Sequence, residues 1–382
     1  MNHASQRLGL AGLCLLLAGC QAVSQPAAGG ANAKPHHTPQ GFRNNYGASG
    51  GKPFAQFLKW QWERRTAPAS AVAPQPTPTV APELGFLARN ATAGAAMQPT
   101  LTWIGHASLL VQADGLNVLT DPVFSERASP LSFAGPKRLQ PPGLALSQLP
   151  RIDVVLISHN HYDHLDLASV QALAQQAGGS PLFLVPLGIA EWMKEAGIDN
   201  VVELDWWEPQ RLKGVEFVLT PVQHWSGRTY WDRAETLWGG WAVFGPGLHW
   251  FFAGDTGYSQ DFADIRQRFA PRQTEAKGGG FDLALIPVGA YEPRWFMKDQ
   301  HVNPEESVRI HRDLGAKRSV GMHWGTFALT DEPLDQPPKD LRSAREAQGV
   351  GADEFSLMAI GETQRIAPRV APGQAVTAQR AL

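Results

Sequence analysis

From Leu101 onward the chain alternates short apolar runs with polar, glycine-containing breaks, and helical stretches are interleaved among them. The pattern predicts strands over Leu101–Ile104, Ser108–Gln112, Asn117–Thr120 and Val154–Ile157, with Asp114-Gly115 as a hairpin turn between the second and third. Further strands are predicted over Leu182–Val185, Val201–Leu204, Val215–Thr220, Trp241–Phe244, Leu248–Phe252, Leu283–Pro287 and Ser319–Met322. Leu167–Ala177 reads as a helix, with Asp166 as N-cap and Gly178-Gly179 as its stop. Pro304–Asp313 reads as another, with acidic residues in its first turn. Strands and helices in this order predict an α/β domain. No internal repeat is visible, although two similar β-rich halves are compatible with the order.

The ends read differently. Leu8–Ala18 is an apolar run too short to span a bilayer, and it fits a secretory signal core. It closes on Leu16-Leu17-Ala18-Gly19-Cys20, which resembles the lipobox of bacterial lipoproteins. That resemblance implies cleavage before Cys20 and a lipid anchor there; Gln21 in place of Asp favours the outer membrane, with the body facing the periplasm. A plain cleaved signal or an uncleaved anchor is the alternative. Residues 21 to about 40, and again Thr66–Pro82, are Pro- and Ala-rich and read as flexible. Between them Gly41–Arg65 carries enough aromatics to predict an arm packed on the body. The expected division is a signal peptide at 1–20, leash and arm at 21–85, the α/β domain at 86–366 and a loose tail at 367–382.

Composition narrows the chemistry. Apolar residues at 43% and charged residues at 18% belong to a folded globular protein, and a net charge of −2 counts against a nucleic-acid partner. Thirteen tryptophans are a high count. Trp60, Trp62, Trp206, Trp207, Trp225, Trp231, Trp238, Trp241 and Trp295 read mainly as core and sheet-packing residues, with an apolar groove as the alternative. Both cysteines, Cys14 and Cys20, precede the body, so any metal there is held by nitrogen and oxygen.

The densest signal is Ser158-His159-Asn160-His161-Tyr162-Asp163-His164, directly after a predicted strand. His159 and His161, two residues apart, can converge on one point, and Asp163 and His164 reach a second as the chain turns into the helix. So many imidazole and carboxylate donors in so few positions are costly to satisfy without a cation. His224, Asp255 and His323 each follow a predicted strand, and ligands at the carboxyl ends of strands share one edge of a domain. All seven are candidate metal ligands.

These residues resemble the signature of the metallo-β-lactamase superfamily. The resemblance implies a four-layer αβ/βα sandwich over about residues 100 to 330, with His159, His161 and His224 on one metal, Asp163, His164 and His323 on the other, and Asp255 bridging. Trp103-Ile104-Gly105-His106-Ala107-Ser108, Thr120-Asp121-Pro122-Val123-Phe124-Ser125, Gly254-Asp255-Thr256-Gly257-Tyr258, Gln300-His301-Val302-Asn303-Pro304-Glu305-Glu306 and His323-Trp324-Gly325-Thr326-Phe327 are more specific. They look like the family of N-acyl-phosphatidylethanolamine-hydrolysing phospholipases D, whose N-terminal arm Gly41-Phe42-Arg43-Asn44 also resembles.

The implied chemistry is hydrolysis of a phospholipid or lipid-like phosphodiester by hydroxide generated at two zinc ions; iron or manganese also suits such donors. Asp163 is the candidate to orient the nucleophile and accept its proton, and His301 to contact phosphate or protonate the leaving group, a structural histidine being the plainer reading of His301. His106 and Asp121 are expected to orient ligands through hydrogen bonds, although Asp121 before Pro122 also reads as a turn residue. His36, His37, His249 and His311 read as structural or exposed. Arg43, Arg228, Arg294 and Lys298 are cations that could meet phosphate. A lactonase or carboxylic-ester hydrolase, or a non-catalytic envelope protein with a permeability or binding role, are the rival readings. A homodimer is compatible with the sequence.

Overall fold

A computed structural model of the chain describes residues 34–47, 51–66, 75–229 and 231–369. The signal-like segment with Cys14 and Cys20 lies outside the described residues.

Residues 34–40, read from the sequence as leash, belong instead to the packed arm, which opens with a short hairpin, β1 (His37–Thr38) and β2 (Gly41–Phe42), followed by helix α1 (Phe54–Thr66). It is fastened at Asp205, whose carboxylate meets His36 Nε2 at 2.6 Å, His37 Nε2 at 2.8 Å and Lys34 Nζ at 2.9 Å. Helix α2 (Leu84–Ala91) then leads into the body.

One sheet takes β3 (Thr100–Gly105), β4 (Ser108–Ala113), β5 (Leu116–Thr120), β6 (Val154–Leu156), β7 (Leu182–Pro186), β8 (Val201–Leu204) and, on its edge beside β3, β16 (Thr363–Arg365). The other takes β9 (Pro209–Leu212), β10 (Val215–Thr220), β11 (Gly240–Phe244), β12 (His249–Phe252), β13 (Leu283–Pro287), β14 (Ser319–Met322) and β15 (Phe355–Ser356) in chain order. In each sheet antiparallel hairpins give way to a parallel run of strands. The two halves are thus alike in architecture.

Sequence alternation decides what each face buries. Leu109, Val111, Val154, Leu156 and Leu184 point into the core between the sheets, with Trp241, Val243 and Phe252 of the second sheet. Their neighbours Leu110, Val155, Ile157, Phe183 and Val185 point outward, against Leu87 of α2, Val170 and Leu173 of α3 (Leu167–Ala174) and Met193 of α4 (Ala190–Glu195). On the far side, α5 (Asp261–Phe269), α7 (Pro304–Leu314) and α8 (Gln336–Gln348) bury Phe262, Ile265, Val308, Ile310 and Leu341 against the second sheet, the short α6 (Arg294–Met297) lying between α5 and α7 in sequence. Strands buried on both faces are continuous apolar runs, as parallel sheets require. The result is the four-layer αβ/βα sandwich.

Asp114 and Gly115 both take positive φ, 55° and 73°, so the β4–β5 hairpin closes on the turn the sequence predicts. Four further expectations need correction. Helix α3 stops at Ala174, because the Gln176 side chain turns away to exchange two hydrogen bonds with the Ile152 backbone. Asp166 occupies the cap position of α3, but its carboxylate accepts from the Phe124 and Ser125 amides and the Ser125 hydroxyl instead. The Pro-rich stretch before the body is fastened from residue 75 onward: Val80 N donates to Ile360 O, and Thr77 Oγ1 to Gly325 O. Finally, the ordered chain runs past Ala367, since the Arg369 amide donates to Gly247 O and its guanidinium pairs with Asp282.

Candidate metal centre

Six strand ends build one cluster. β3 ends before His106, β5 before Asp121, β6 before the His159 segment, β10 before His224, β12 before Asp255 and β14 before His323. All six strands point their carboxyl ends to the same edge of the sandwich, where loops free of the sheet ladder can converge. Three of these positions carry uncommon backbone: His106, Asp121 and His323 have φ of 54°, 30° and 61°. Such conformations cost energy in non-glycine residues and persist where the surroundings impose them. Gly254 also has positive φ, and a Cβ there would lie 2.6 Å from Ser158 Cβ. Only glycine lets the turn before Asp255 approach the histidine loop this closely.

The structure brings together all ten residues singled out in the sequence. His159 Nε2 lies 2.8 Å from His161 Nδ1, which lies 3.4 Å from His224 Nε2. A second group forms around His164 Nε2, which is 3.2 Å from His323 Nε2 and 3.4 Å from Asp163 Oδ2. Asp255 stands between the groups. Its Oδ1 is 3.2 Å from His323 Nε2, and its Oδ2 is 3.2 Å from His164 Nε2, 3.9 Å from His224 Nε2 and 4.0 Å from His159 Nε2.

Hydrogen bonds on the outer side of the rings settle which nitrogen faces inward. His164 Nδ1 meets Asp121 Oδ2 at 2.6 Å, His159 Nδ1 meets Ser158 Oγ at 2.8 Å, and His224 Nδ1 meets the Gln300 carbonyl at 2.9 Å. With Nδ1–H donated to Asp121 and to Gln300 O, the Nε2 lone pairs of His164 and His224 point at the other donors. Asp121 also accepts from the Ser158 amide at 2.7 Å and the Ser158 hydroxyl at 2.5 Å. His106 Nε2 lies 2.9 Å from Asp163 Oδ2, fixing that carboxylate.

Facing lone pairs a few ångströms apart repel each other unless a proton or a metal ion sits between them. Burial holds His161 down at about 3 and pushes His159 and His224 well below the ordinary histidine range, so these rings are neutral, as metal ligands must be. Burial alone would raise Asp163 and Asp255, but the surrounding histidines, His164 foremost, hold both carboxyls well below their ordinary range. His323 feels the reverse balance: burial lowers it, and Asp255 outweighs that to hold it at about 9. Neutral His159, His161 and His224 beside ionised carboxylates, with Asp255 Oδ1 buried and lacking a hydrogen-bond partner, fit a divalent cation. Burial lowers His164 but Asp255 and Asp163 outweigh it, so His164 and His323 carry protons that a second cation would displace. His159, His161 and His224 could hold one, Asp163, His164 and His323 a second, and Asp255 both.

His301 sits at the rim, its Nδ1 3.8 Å from Asp255 Oδ2 and its ring 5.3 Å from that of His224. The cations named from sequence are committed elsewhere or lie outside. Arg43 donates to Pro35 O, Arg228 to Asn160 O and Leu165 O, and Arg294 to His301 O and Glu306, while Lys298 is exposed. Of the tryptophans, Trp206, Trp238 and Trp241 are core residues, whereas Trp62, Trp231 and Trp295 are exposed.

Sequence reasoning missed Asn44. Its Oδ1 accepts from the His224 amide and its Nδ2 donates to the His224 carbonyl, each at 3.0 Å, and Trp238 Nε1 donates to the same Oδ1 at 3.1 Å. The arm therefore grips the backbone of a candidate ligand from both sides; an asparagine preceding a turn carried no chemical signature of this. Asn44→Ala is expected to weaken cation retention about tenfold, by analogy with other residues that orient ligands. Dialysis against a graded chelator reads this, with circular dichroism to confirm an intact fold; unchanged retention would show that the arm does not govern His224.

Residues 116–324 match the β-lactamase superfamily domain, and the chain belongs to that family, with the metallo-β-lactamase sandwich. Among relatives, it resembles N-acyl-phosphatidylethanolamine-hydrolyzing phospholipase D 1 of Caenorhabditis elegans, at 42% identity over 64% of this chain and 70% of that protein. A mitochondrial protein of Saccharomyces cerevisiae with the same activity in its name is 39% identical over 69% of this chain and 55% of its own length. A solved isothiocyanate hydrolase from Delia radicum gut bacteria shares the fold, with a TM-score of 0.54 at 21% identity over 70% of this chain and 99% of its own.

Proposed function

We propose that this chain is a dinuclear metal-dependent phosphodiesterase that cleaves N-acyl-phosphatidylethanolamine-like phospholipids in the manner of a phospholipase D. The observation that carries the reading is the arrangement of seven inward-facing donors as two groups sharing Asp255. The names of the relatives from Caenorhabditis elegans and Saccharomyces cerevisiae support the substrate class. Zinc suits the histidine-rich set, and iron or manganese would also fit.

Two bound cations would supply Lewis acidity, making water nucleophilic near neutral pH and offsetting charge on the phosphoryl oxygens. Asp163, anchored by His106 and less buried than Asp255, orients the attacking water and takes its proton. His301 is held at about 4 by burial, so its ring is neutral and serves as a hydrogen-bond partner for a phosphoryl oxygen. Asp121 and His106 keep His164 and Asp163 in register. The lipobox-like segment ending at Cys20 supports the reading of an envelope lipoprotein tethered to the outer membrane; this would confine the site to a bilayer surface and raise effective substrate concentration.

The test is hydrolysis of N-acyl-phosphatidylethanolamine and bis(4-nitrophenyl) phosphate, with and without chelator, beside Asp163→Asn. Chelator-sensitive turnover that falls about 100-fold or more in the variant is expected. Turnover of lactones with neither phosphodiester cleaved would overturn the reading.

A further inference from the structure

Arg233 was not among the cations singled out from the sequence. It is partly buried, and its guanidinium lies 3.9 Å from the centre of the Trp225 ring. Trp225 in turn packs edge-on against His161, with 4.2 Å between ring centres. Arg233 is thus one aromatic ring removed from the candidate metal cluster.

Two features set this corner apart. Among the described residues, no carboxylate pairs with Arg233; that of its neighbour Asp232 is taken by the Arg228 and Thr229 amides and the Thr229 hydroxyl. The Trp225 Nε1–H is also buried without a hydrogen-bond partner. The arm crosses close by, since a Cβ on Gly51 would lie 2.9 Å from Arg233 Nε. Burial pushes Arg233 down to about 10, with no anion to offset it. Partly burying an unpaired guanidinium is unfavourable, and an idle indole N–H on the same ring adds to the cost. Both costs vanish when an acceptor oxygen arrives.

We propose that Arg233 and the Trp225 N–H form a head-group subsite that accepts a carboxylate or carbonyl oxygen of the substrate and repels a free ammonium. The inference rests on the phosphodiesterase reading and deepens it. With phosphorus at the cluster, the head group extends past His161 toward Trp225. An N-acylated ethanolamine presents a carbonyl oxygen and no charge there. The unacylated head group presents an ammonium, which the unpaired guanidinium disfavours. Arg233 would then be a specificity-determining residue rather than a catalytic one.

The test is calorimetric binding of O-phosphoserine and O-phosphoethanolamine, which differ by one carboxylate, to the metal-loaded full-length protein. Phosphoserine is expected to bind at least about tenfold tighter, a typical effect of one charge-assisted contact. The preference should shrink to within about twofold in Arg233→Gln and survive in part in Arg233→Lys, whose charge is kept. Equal affinities in the wild type, or a preference that persists in Arg233→Gln, would overturn the subsite. A purely structural stacking role would lower the melting temperature of Arg233→Gln without moving the ratio. Binding requires no turnover, so the two readings fail separately: a protein that shows the preference yet cleaves no phosphodiester would overturn the phosphodiesterase reading and leave Arg233 as an oxyanion subsite for another substrate.

Discussion

On the proposed dinuclear reading, Asp255→Ala is expected to reduce bound metal from two ions to one or none per chain and to lower kcat/KM on the order of 10³-fold. The reason is positional. Among the described residues, Asp255 alone has carboxylate oxygens within 4.0 Å of donors from both groups: His164 and His323 on one side, and His159 and His224 on the other. Its loss also leaves facing imidazoles without the negative charge that offsets a divalent cation. Elemental analysis of the purified variant, set beside its steady-state kinetics, checks both parts. Full metal content with wild-type turnover would remove Asp255 from the cluster.

The second large effect is expected at Asp121, a residue that would touch neither metal nor substrate. Asp121→Ala strips acceptors from His164 Nδ1, the Ser158 amide and the Ser158 hydroxyl, all of them buried. Breaking a buried charged network by removing one partner costs about 3–5 kcal/mol, and losing a residue that orients a metal ligand weakens metal affinity roughly 10–100-fold. Urea denaturation reads the first and competition with a chromogenic chelator the second. Asp121→Asn should recover part of the stability, since its amide oxygen can still accept from Ser158. A variant as stable as wild type, with unaltered affinity, would reduce Asp121 to the turn residue that Pro122 suggests.

The parts of the fold legible in sequence were those with strong periodicity. Strands β5, β6, β7, β10, β13 and β14 are mostly apolar and buried on both faces, and their predicted and observed limits agree within a residue or so. Three of the four edge strands of the two large sheets escaped, while the fourth, β8, matches its predicted Val201–Leu204. β9 is a polar Pro-Gln-Arg-Leu run, β15 spans two residues and β16 is Thr-Gln-Arg; pairing with neighbours defines them, and composition does not. Helices α5 and α8 escaped for a related reason: both are rich in charged residues, with narrow apolar stripes that packing makes decisive. The histidine and aspartate positions of the centre stood out because so many metal-type donors are dense in sequence or follow strands. Asn44 and Arg233 did not stand out, because a backbone clamp and an unpaired cation are properties of three-dimensional surroundings.

His159, His161, Asp163 and His164 hang from the first sheet, whereas His224, Asp255 and His323 hang from the second. A cation bound between them works as a rivet through the open edge of the sandwich. Each ion present at a hundred times its dissociation constant would add about 2.7 kcal/mol against separation of the halves. Metal supply would then set not only how fast the protein works but how long it lasts, and metal starvation would mark unloaded chains for turnover.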